Sequence, residues 1–197
     1  MPGGGPALAD FLYSMRLYIF GASGAGVSTQ GAALAATLGL PYFDGDAYFW
    51  EVSDPPFTVR RPPDTRNAAL ARDLAQAAGW VLGGCVMGWG EGWPPPADLI
   101  VFLWLPPALR LQRLRAREQG RYGEALLADP ARAAQTEAFL KWAAGYDDSS
   151  TGGARTIANH EHRLAQFTCP VLELRGDLTV AERVAAVQAA LPENNLR

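Results

Sequence analysis

The chain has 197 residues, of which 49% are hydrophobic and 19% are charged, and its formal net charge is −3. These values fit one globular domain with a hydrophobic core and exclude a disordered chain. Without a broad basic field, nucleic acid is excluded as a main partner. No apolar run reaches the roughly 18 residues that a membrane-spanning helix needs, so we expect no membrane partner and a cytoplasmic protein.

Short apolar runs alternate with helical patterns along the chain, which is typical of a parallel sheet covered by helices. The predicted strands are residues 17–20, 41–43, 80–85, 98–105 and 171–174. The predicted helices are residues 28–38, 65–78, 106–118, 135–144, 154–166 and 179–191. We therefore expect a three-layer α/β fold, with a five-stranded parallel sheet and helices on both faces.

The remaining segments divide the chain into a short approach, a domain and a lid. Residues 1–16 are interpreted as a leader or as the approach to the first strand, and residues 17–197 as the domain. Within the domain, residues 119–153 are polar and contain two glycine turns, which predicts a helical lid over the site. Cys85 and Cys169 lie far apart in apolar strand segments, so we expect two buried free thiols and no metal site.

A glycine-rich stretch, Gly21-Ala-Ser-Gly-Ala-Gly-Val-Ser28-Thr29, joins the first strand to the first helix. Its glycines allow backbone angles at which successive amides face one anion, and the helix adds the positive end of its dipole. The Ser28 hydroxyl is placed to reach a Mg²⁺ ion that bridges the phosphates of ATP. We expect a nucleoside triphosphate to be bound by Gly21, Ala22, Ser23, Gly24, Ala25, Gly26, Val27, Ser28 and Thr29.

Two alternatives to this phosphate loop remain open at the sequence level. One is a glycine-rich turn without a ligand. The other is the Rossmann fingerprint GxGxxG of an NAD(P)-binding oxidoreductase, since an acidic residue follows about 20 residues later. Thr29 stands where that fingerprint needs its third glycine.

Three segments resemble P-loop kinases. The stretch GASGAGVSTQ resembles the loop of adenylate kinases, and Phe43-Asp-Gly-Asp46 resembles the second-strand segment of shikimate and gluconate kinases. Residues 101–117 are similar to the strand and arginine-rich helix that lead into the lid of these enzymes. The resemblance covers most of residues 17–191 and implies phosphoryl transfer from ATP, with Mg²⁺, to a small-molecule or nucleotide acceptor by a monomer or homodimer. Shikimate-like acids, sugar acids, nucleosides and nucleotides all remain open as acceptors.

Val27 departs from the pattern of this family, because it occupies the place of the loop lysine that neutralises phosphate charge. Either another cation replaces the lysine, or the protein binds nucleotide with little or no transfer. Arg113 and Arg117 lie four residues apart on one predicted helix face, with Arg121 just beyond. We expect the first two to act as catalytic cations when a lid closes, and Arg155 to contact the nucleotide, although a solvated arginine face is the alternative.

Asp44 and Asp46 follow the second predicted strand, so both can point into the crevice at the carboxyl ends of the sheet. In the kinases that this chain resembles, the matching acids hold Mg²⁺ or orient the acceptor hydroxyl. The resemblance therefore implies a catalytic role for Asp46, and for Asp44 as second choice, and a metal site formed by Ser28 and Asp46. A pair of turn-capping acids is the alternative.

Four further positions are expected to contact the acceptor. Arg60 and Arg61 belong to a proline-rich loop and could hold a carboxylate or a phosphate. Gly83 and Gly84 resemble the glycine pair of shikimate kinases, whose backbone lies close to the acceptor.

Two more features follow the lid segment. Gly176, just past the last strand, matches the place where these kinases cradle adenine. His160 and His162 are interpreted as a surface pair, because on a helix they point to different faces.

Overall fold

The computed structural model describes residues 14–54 and 56–191. The leader interpretation of the first residues, 1–13, therefore lies outside the described residues. The strands are β1 (Arg16–Gly21), β2 (Tyr42–Asp44), β3 (Trp80–Gly83), β4 (Leu99–Trp104) and β5 (Val171–Arg175). The helices are α1 (Val27–Leu38), α2 (Gly45–Phe49), α3 (Pro63–Gln76), α4 (Pro107–Tyr122), α5 (Ala125–Ala128), α6 (Pro130–Ala144), α7 (Ile157–Leu164) and α8 (Val180–Ala190).

The five strands form one parallel sheet in the order β2-β3-β1-β4-β5. This confirms the predicted α/β class and the five-stranded parallel sheet. In the Rossmann fold the second strand lies beside the first. Here β3 separates β1 from β2, so the Rossmann alternative is wrong for this chain.

The core lies on both faces of the sheet because successive strand side chains point to opposite sides. In β1, Leu17 and Ile19 belong to one buried cluster, while Tyr18 and Phe20 belong to the other. Helices α1 and α8 cover the first face and α3 and α7 cover the second, through the buried side chains Leu34, Val187, Leu70 and Leu164.

Helix α4 continues beyond residue 118, where the sequence pattern predicts its end. It ends at Tyr122 and is capped by Gly123, whose backbone N–H donates to the Gln119 carbonyl oxygen at 2.8 Å. Arg121 therefore lies on the helix and shares a face with Arg113 and Arg117. Helix α6 also begins earlier than predicted, because the Asp129 side chain caps its first turn. The segment predicted as a lid thus consists of the end of α4, both following helices and a turn region.

The two cysteines lie just outside strands and differ in burial. Cys85 is buried, whereas Cys169 is half-buried in a bend before β5. The prediction of a buried thiol is therefore correct for Cys85 and wrong for Cys169. In the described part of the chain, none of the helices combines the length and the apolar character needed to cross a membrane.

Candidate active site

The phosphate loop lies between the end of β1 and the start of α1. Gly24 and Gly26 have φ angles of 84° and 91°, which glycine adopts without side-chain strain. At Gly24 a Cβ would also lie 2.9 Å from the Arg110 carbonyl oxygen. One cavity of about 340 Å³ opens above the loop. The structure brings the predicted loop residues Gly21, Ala22, Ser23, Gly24, Gly26, Val27, Ser28 and Thr29 to its wall, whereas the Ala25 side chain is buried in the core.

Two buried arginines hold the loop from outside this cavity. The Arg183 guanidinium donates to the Ala25 carbonyl oxygen at 3.0 Å. The Arg110 guanidinium donates to the carbonyl oxygens of Ser23 and Leu105 and forms a close ion pair with Asp147. Sequence reasoning missed both arginines. The signal that could have found Arg110 is its spacing of four residues from Leu114, the buried leucine on the same face of α4.

Four other arginines line the loop cavity. Arg113, Arg117 and Arg121 form a row at every fourth position of α4, and Arg155 faces them from the segment before α7. Desolvation, together with the neighbouring charge of Arg117, lowers the pKa of Arg121 from its usual value. This means that positive charge is concentrated in the cavity, which an anion entering it would relieve.

Carboxylates fix the positions of these arginines. Arg113 pairs with Asp177 at 2.8 Å. Glu118, whose side chain is only 7% exposed, pairs with Arg117 at 3.2 Å and with Arg121 at 3.7 Å. A carboxylate that is buried between two guanidinium groups orients both of them, since leaving either one unpaired would cost more.

The two acids at and just after the end of β2, Asp44 and Asp46, have different positions. Asp44 accepts a hydrogen bond from the Asp46 backbone N–H at 3.0 Å and caps α2, so its geometry is that of a turn-capping acid. The Asp46 carboxylate lines the loop cavity and lies 3.9 Å from the Arg155 guanidinium. Desolvation raises the pKa of Asp46, against the opposing charge of Arg155.

A second cavity of about 250 Å³ adjoins the first. The two share the wall residues Ser23, Asp46, Arg117, Arg121 and Arg155. The rest of the second wall comes from α6, the end of α4 and the loop after α2, with the side chains Trp50, Phe57, Glu118, Tyr122, Arg132, Gln135, Thr136 and Phe139. Sequence reasoning missed this wall, apart from suggesting a helical cover, because its residues are distant along the chain.

Several residues predicted to contact ligands lie outside both cavities. Arg60 lies over the ring of Trp50 at 5.9 Å from its centre, and Arg61 pairs with Glu51 at 3.2 Å. Of the glycine pair, Gly84 lines the loop cavity, whereas Gly83 pairs with β2 and does not. The Gly176 carbonyl oxygen accepts a hydrogen bond from Arg183 at 3.4 Å, which ties the predicted adenine segment to the loop.

His160 is buried, so the interpretation of a surface histidine pair is wrong for this residue, while His162 is exposed. The Tyr146 hydroxyl lies 2.8 Å from the Nδ1 atom of His160, and the Cys85 Sγ atom lies 3.5 Å from the Nε2 atom of His160. His160 is buried because it lies four residues from Leu164, on the face of α7 that packs against the core. Burial, together with the charge of Arg155, lowers the pKa of His160 to about 4.

The described residues of this site offer a divalent metal a few oxygen ligands but not a complete set of protein ligands. Within the described ranges, no group of three or more His, Cys, Asp or Glu side chains is close enough to hold an ion. Ser28 and Asp46 both line the loop cavity. This sparse set of oxygen donors fits Mg²⁺, which keeps several waters and binds through one or two protein ligands plus substrate phosphates.

Comparison with solved structures shows the same fold in several kinases. A gluconokinase from Sinorhizobium meliloti 1021 superposes with a TM-score of 0.51 at 19% identity, covering 93% of this chain and 96% of that one. A shikimate kinase from Acinetobacter baumannii, in complex with shikimate, gives 0.52 at 17% identity and covers 96% and 99%. A deoxyadenosine kinase from M. mycoides with bound dATP gives 0.51 at 15% identity and covers 90% and 98%. The chain therefore has the P-loop kinase fold.

Sequence comparison gives a nearer relative. No family model matches the chain. The uncharacterized protein YqaC of Bacillus subtilis (strain 168) is 42% identical over 179 residues, which cover 91% of this chain and 98% of YqaC. The chain thus belongs to the same family as YqaC, on a P-loop kinase scaffold.

Proposed function

We propose that the chain transfers the terminal phosphoryl group of ATP, bound with Mg²⁺, to a small-molecule acceptor. The observation that supports this most is the junction of the two cavities, where both have Asp46, Arg117, Arg121 and Arg155 in their walls. A nucleotide on the phosphate loop and an acceptor in the second cavity would meet at these residues. We place the reaction in the cytoplasm, where ATP and Mg²⁺ are abundant.

In this proposal each part of the loop cavity has a role. The amides between Gly21 and Thr29 would bind the phosphates. Ser28 and Asp46 would hold Mg²⁺, which would neutralise part of the phosphate charge. Arg113 and Arg117 supply the positive charge that Val27 does not, and such arginines outside the loop can contribute about 10³–10⁵ in rate.

The transfer itself needs a positioned carboxylate. Asp46 orients the acceptor oxygen and receives its proton. The bond between that oxygen and the terminal phosphorus forms while the bond to the bridging oxygen of ADP breaks. A base in this position typically contributes about 10²–10⁴ in rate.

A nucleotide-binding protein without efficient transfer is the second candidate, because Val27 removes the loop lysine. Two measurements separate the candidates. ATP with Mg²⁺ should raise the melting temperature, and NADH should not, since binding to the native state alone stabilises it. ADP release should then depend on one member of an acceptor panel; ATP binding without such turnover would favour the second candidate.

The variant Asp46→Asn sharpens this test. We expect it to lower the acceptor-dependent rate by about 10²–10⁴. ATP measured with EDTA should still stabilise it as it does the wild type, because the variant keeps the loop amides that bind the phosphates. Asp64→Asn is a suitable control, because Asp64 is an exposed carboxylate in the first turn of α3 and lines neither cavity. Unchanged turnover in Asp46→Asn would contradict the proposed role.

A further inference from the structure

Arg132 is a buried cation at the far wall of the second cavity. Its exposed fraction is 9%, and it is the cation that lines the second cavity without also lining the loop cavity. Among residues 14–54 and 56–191, no carboxylate forms an ion pair with it; its guanidinium lies 4.6 Å from the ring centre of Tyr122 instead. A buried charge without a counter-ion is costly, so this position favours an anion from outside the chain.

A second polar group on α6 lacks a partner. The Thr136 hydroxyl is buried and forms no hydrogen bond with the described residues. Thr136 follows Arg132 by four residues, so both lie on the same face of the helix, and both line the second cavity. A guanidinium and a hydroxyl with free donors on one face are suited to holding an oxyanion.

We propose that the acceptor is a small alcohol that carries an anionic group, with the anion bound at Arg132 and Thr136 and the hydroxyl facing Asp46. This inference rests on the proposed function and specifies its substrate class. The charge of the cavity is consistent with it: four arginines, Arg117, Arg121, Arg132 and Arg155, face two carboxylates, Asp46 and Glu118, which leaves an excess of two positive charges.

The aromatic residues of the second cavity argue against a nucleobase. All four of its aromatic side chains already have a guanidinium over a face: Arg121 over Phe57 at 4.3 Å, Arg132 over Tyr122 at 4.6 Å, Arg117 over Phe139 at 5.5 Å and Arg60 over Trp50 at 5.9 Å. These rings orient arginines and have less free area on which a base could stack. The cavity of about 250 Å³ also lies below the range of about 300–1,000 Å³ that is typical for drug-sized ligands.

The position of Asp46 argues against a phosphate group as the acceptor. Its carboxylate stands at the junction of the cavities and would repel a phosphate approaching the terminal phosphoryl group. A hydroxyl, in contrast, can donate its proton to that carboxylate as its oxygen attacks. ADP is the leaving group, and the product is a phosphate monoester that keeps the original anionic group.

Matched pairs of acceptors test the inference in the full chain with Mg²⁺ and a non-hydrolysable ATP analogue. The anions are gluconate, shikimate and glycerol 3-phosphate; the neutral counterparts are glucitol, methyl shikimate and glycerol; AMP represents nucleotides. We expect at least one anion to bind, measured by calorimetry, and its neutral counterpart to bind about tenfold to a hundredfold more weakly. Binding of no anion, equal binding of the neutral counterpart, or tighter binding of AMP would overturn the inference.

Variants locate the anion within the cavity. Arg132→Met should weaken binding of that anion by about tenfold to a hundredfold, and Thr136→Val by less. Arg115→Met is the control, since Arg115 is exposed on α4 and lines neither of these two cavities. If Arg132→Met does not fold, Thr136→Val decides: unchanged anion affinity in that variant would overturn the site.

The affinity for the ATP analogue is measured in parallel and separates two kinds of failure. If the wild-type chain does not bind the analogue, the proposed function itself is wrong. If it binds the analogue but prefers neutral acceptors or AMP, only the inference about the anionic alcohol is wrong. Loss of the anion in Arg132→Met with unchanged analogue affinity supports both.

Discussion

The Arg183 guanidinium donates hydrogen bonds to the Ala25 carbonyl oxygen at 3.0 Å and to the Gly176 carbonyl oxygen at 3.4 Å. One buried side chain of α8 thus joins the phosphate loop to the segment after β5. Arg183→Met leaves both carbonyl groups without this donor, and we expect the free energy of unfolding to fall by about 2–4 kcal/mol. Urea denaturation measures this; Arg72→Met, at an exposed surface ion pair, should cost less than about 1 kcal/mol.

Gly24 and Gly39 offer a matched pair of substitutions. Both have positive φ angles, 84° and 70°, so alanine costs about 1–2 kcal/mol at either position. Only at Gly24 would the new Cβ also press on the Arg110 carbonyl oxygen and on Leu114; at Gly39 no described atom lies within 4 Å. We expect Gly24→Ala to weaken ATP binding by about tenfold or more and Gly39→Ala to leave it unchanged, by calorimetry. Equal effects of the two would contradict the loop's role.

Val27→Lys tests whether the loop still lacks a cation. Because four arginines already line the cavity, we expect the dissociation constant of ATP with Mg²⁺ to change by less than about tenfold. Arg117→Met, in contrast, removes a cation shared by both cavities and should weaken ATP binding by about tenfold. A large gain in affinity in Val27→Lys would mean that no arginine replaces the lysine.

The Tyr42 hydroxyl is buried and forms no well-aligned hydrogen bond with the described residues, although the Ser28 and Asp44 side chains lie beside it. Its ring fills the space that the missing side chains of Gly31 and Gly83 leave, and the neighbouring Ser28 and Asp44 influence its pKa, which burial raises. Removing a buried hydroxyl that has no well-aligned hydrogen bond should not reduce stability. We therefore expect Tyr42→Phe to keep or raise the melting temperature, yet to weaken ATP binding with Mg²⁺ by about fivefold and less so with EDTA.

Tyr48→Phe is the control for this prediction, because the Tyr48 hydroxyl donates to Asp73 at 2.8 Å. It should lower the free energy of unfolding by about 1 kcal/mol and leave ATP affinity unchanged. If Tyr42→Phe behaves in the same way as Tyr48→Phe, the Tyr42 hydroxyl has no part in the nucleotide site.

His160 makes stability depend on pH. Its pKa is about 4 in the folded protein and near 6.5 when unfolded, so between these values the unfolded chain binds more protons. Above pH 6.5 the histidine is neutral in both the folded and the unfolded chain, so its ionisation does not change the free energy of unfolding. As pH falls from 6.5 to 4, it should reduce that free energy by up to about 3 kcal/mol. Urea denaturation from pH 7 to 5 should show a flatter dependence in His160→Gln and an unchanged one in His162→Gln.

The sheet and the phosphate loop were predictable because their signals are local. An apolar run such as residues 98–105 can only be a buried strand or helix segment, and the glycine spacing of residues 21–26 specifies its own backbone. No local pattern of this kind specifies the strand order β2-β3-β1-β4-β5, since neighbouring strands are joined by long crossovers.

The arginines show where local reasoning ends. Arg183, Arg110 and Arg132 are buried, whereas Arg60 and Arg61, beside a suggestive proline loop, lie outside the cavities. An arginine's burial depends on partners from distant segments, such as the Ala25 carbonyl oxygen 158 residues from Arg183. The residues next to each arginine in the sequence do not identify those distant partners. The second cavity could therefore be described only from the folded structure.

Because Arg117, Arg121 and Arg155 belong to both cavities, a nucleotide in one cavity and an acceptor in the other would lie next to the same positive charges. The proposed transfer would move a phosphoryl group from one cavity to the other without changing the total charge that they enclose. The chemical step would then be close to electrically neutral for the protein, and the larger electrostatic changes would accompany ligand entry and product departure. Ionic strength should accordingly affect substrate capture and product escape more than the transfer between them.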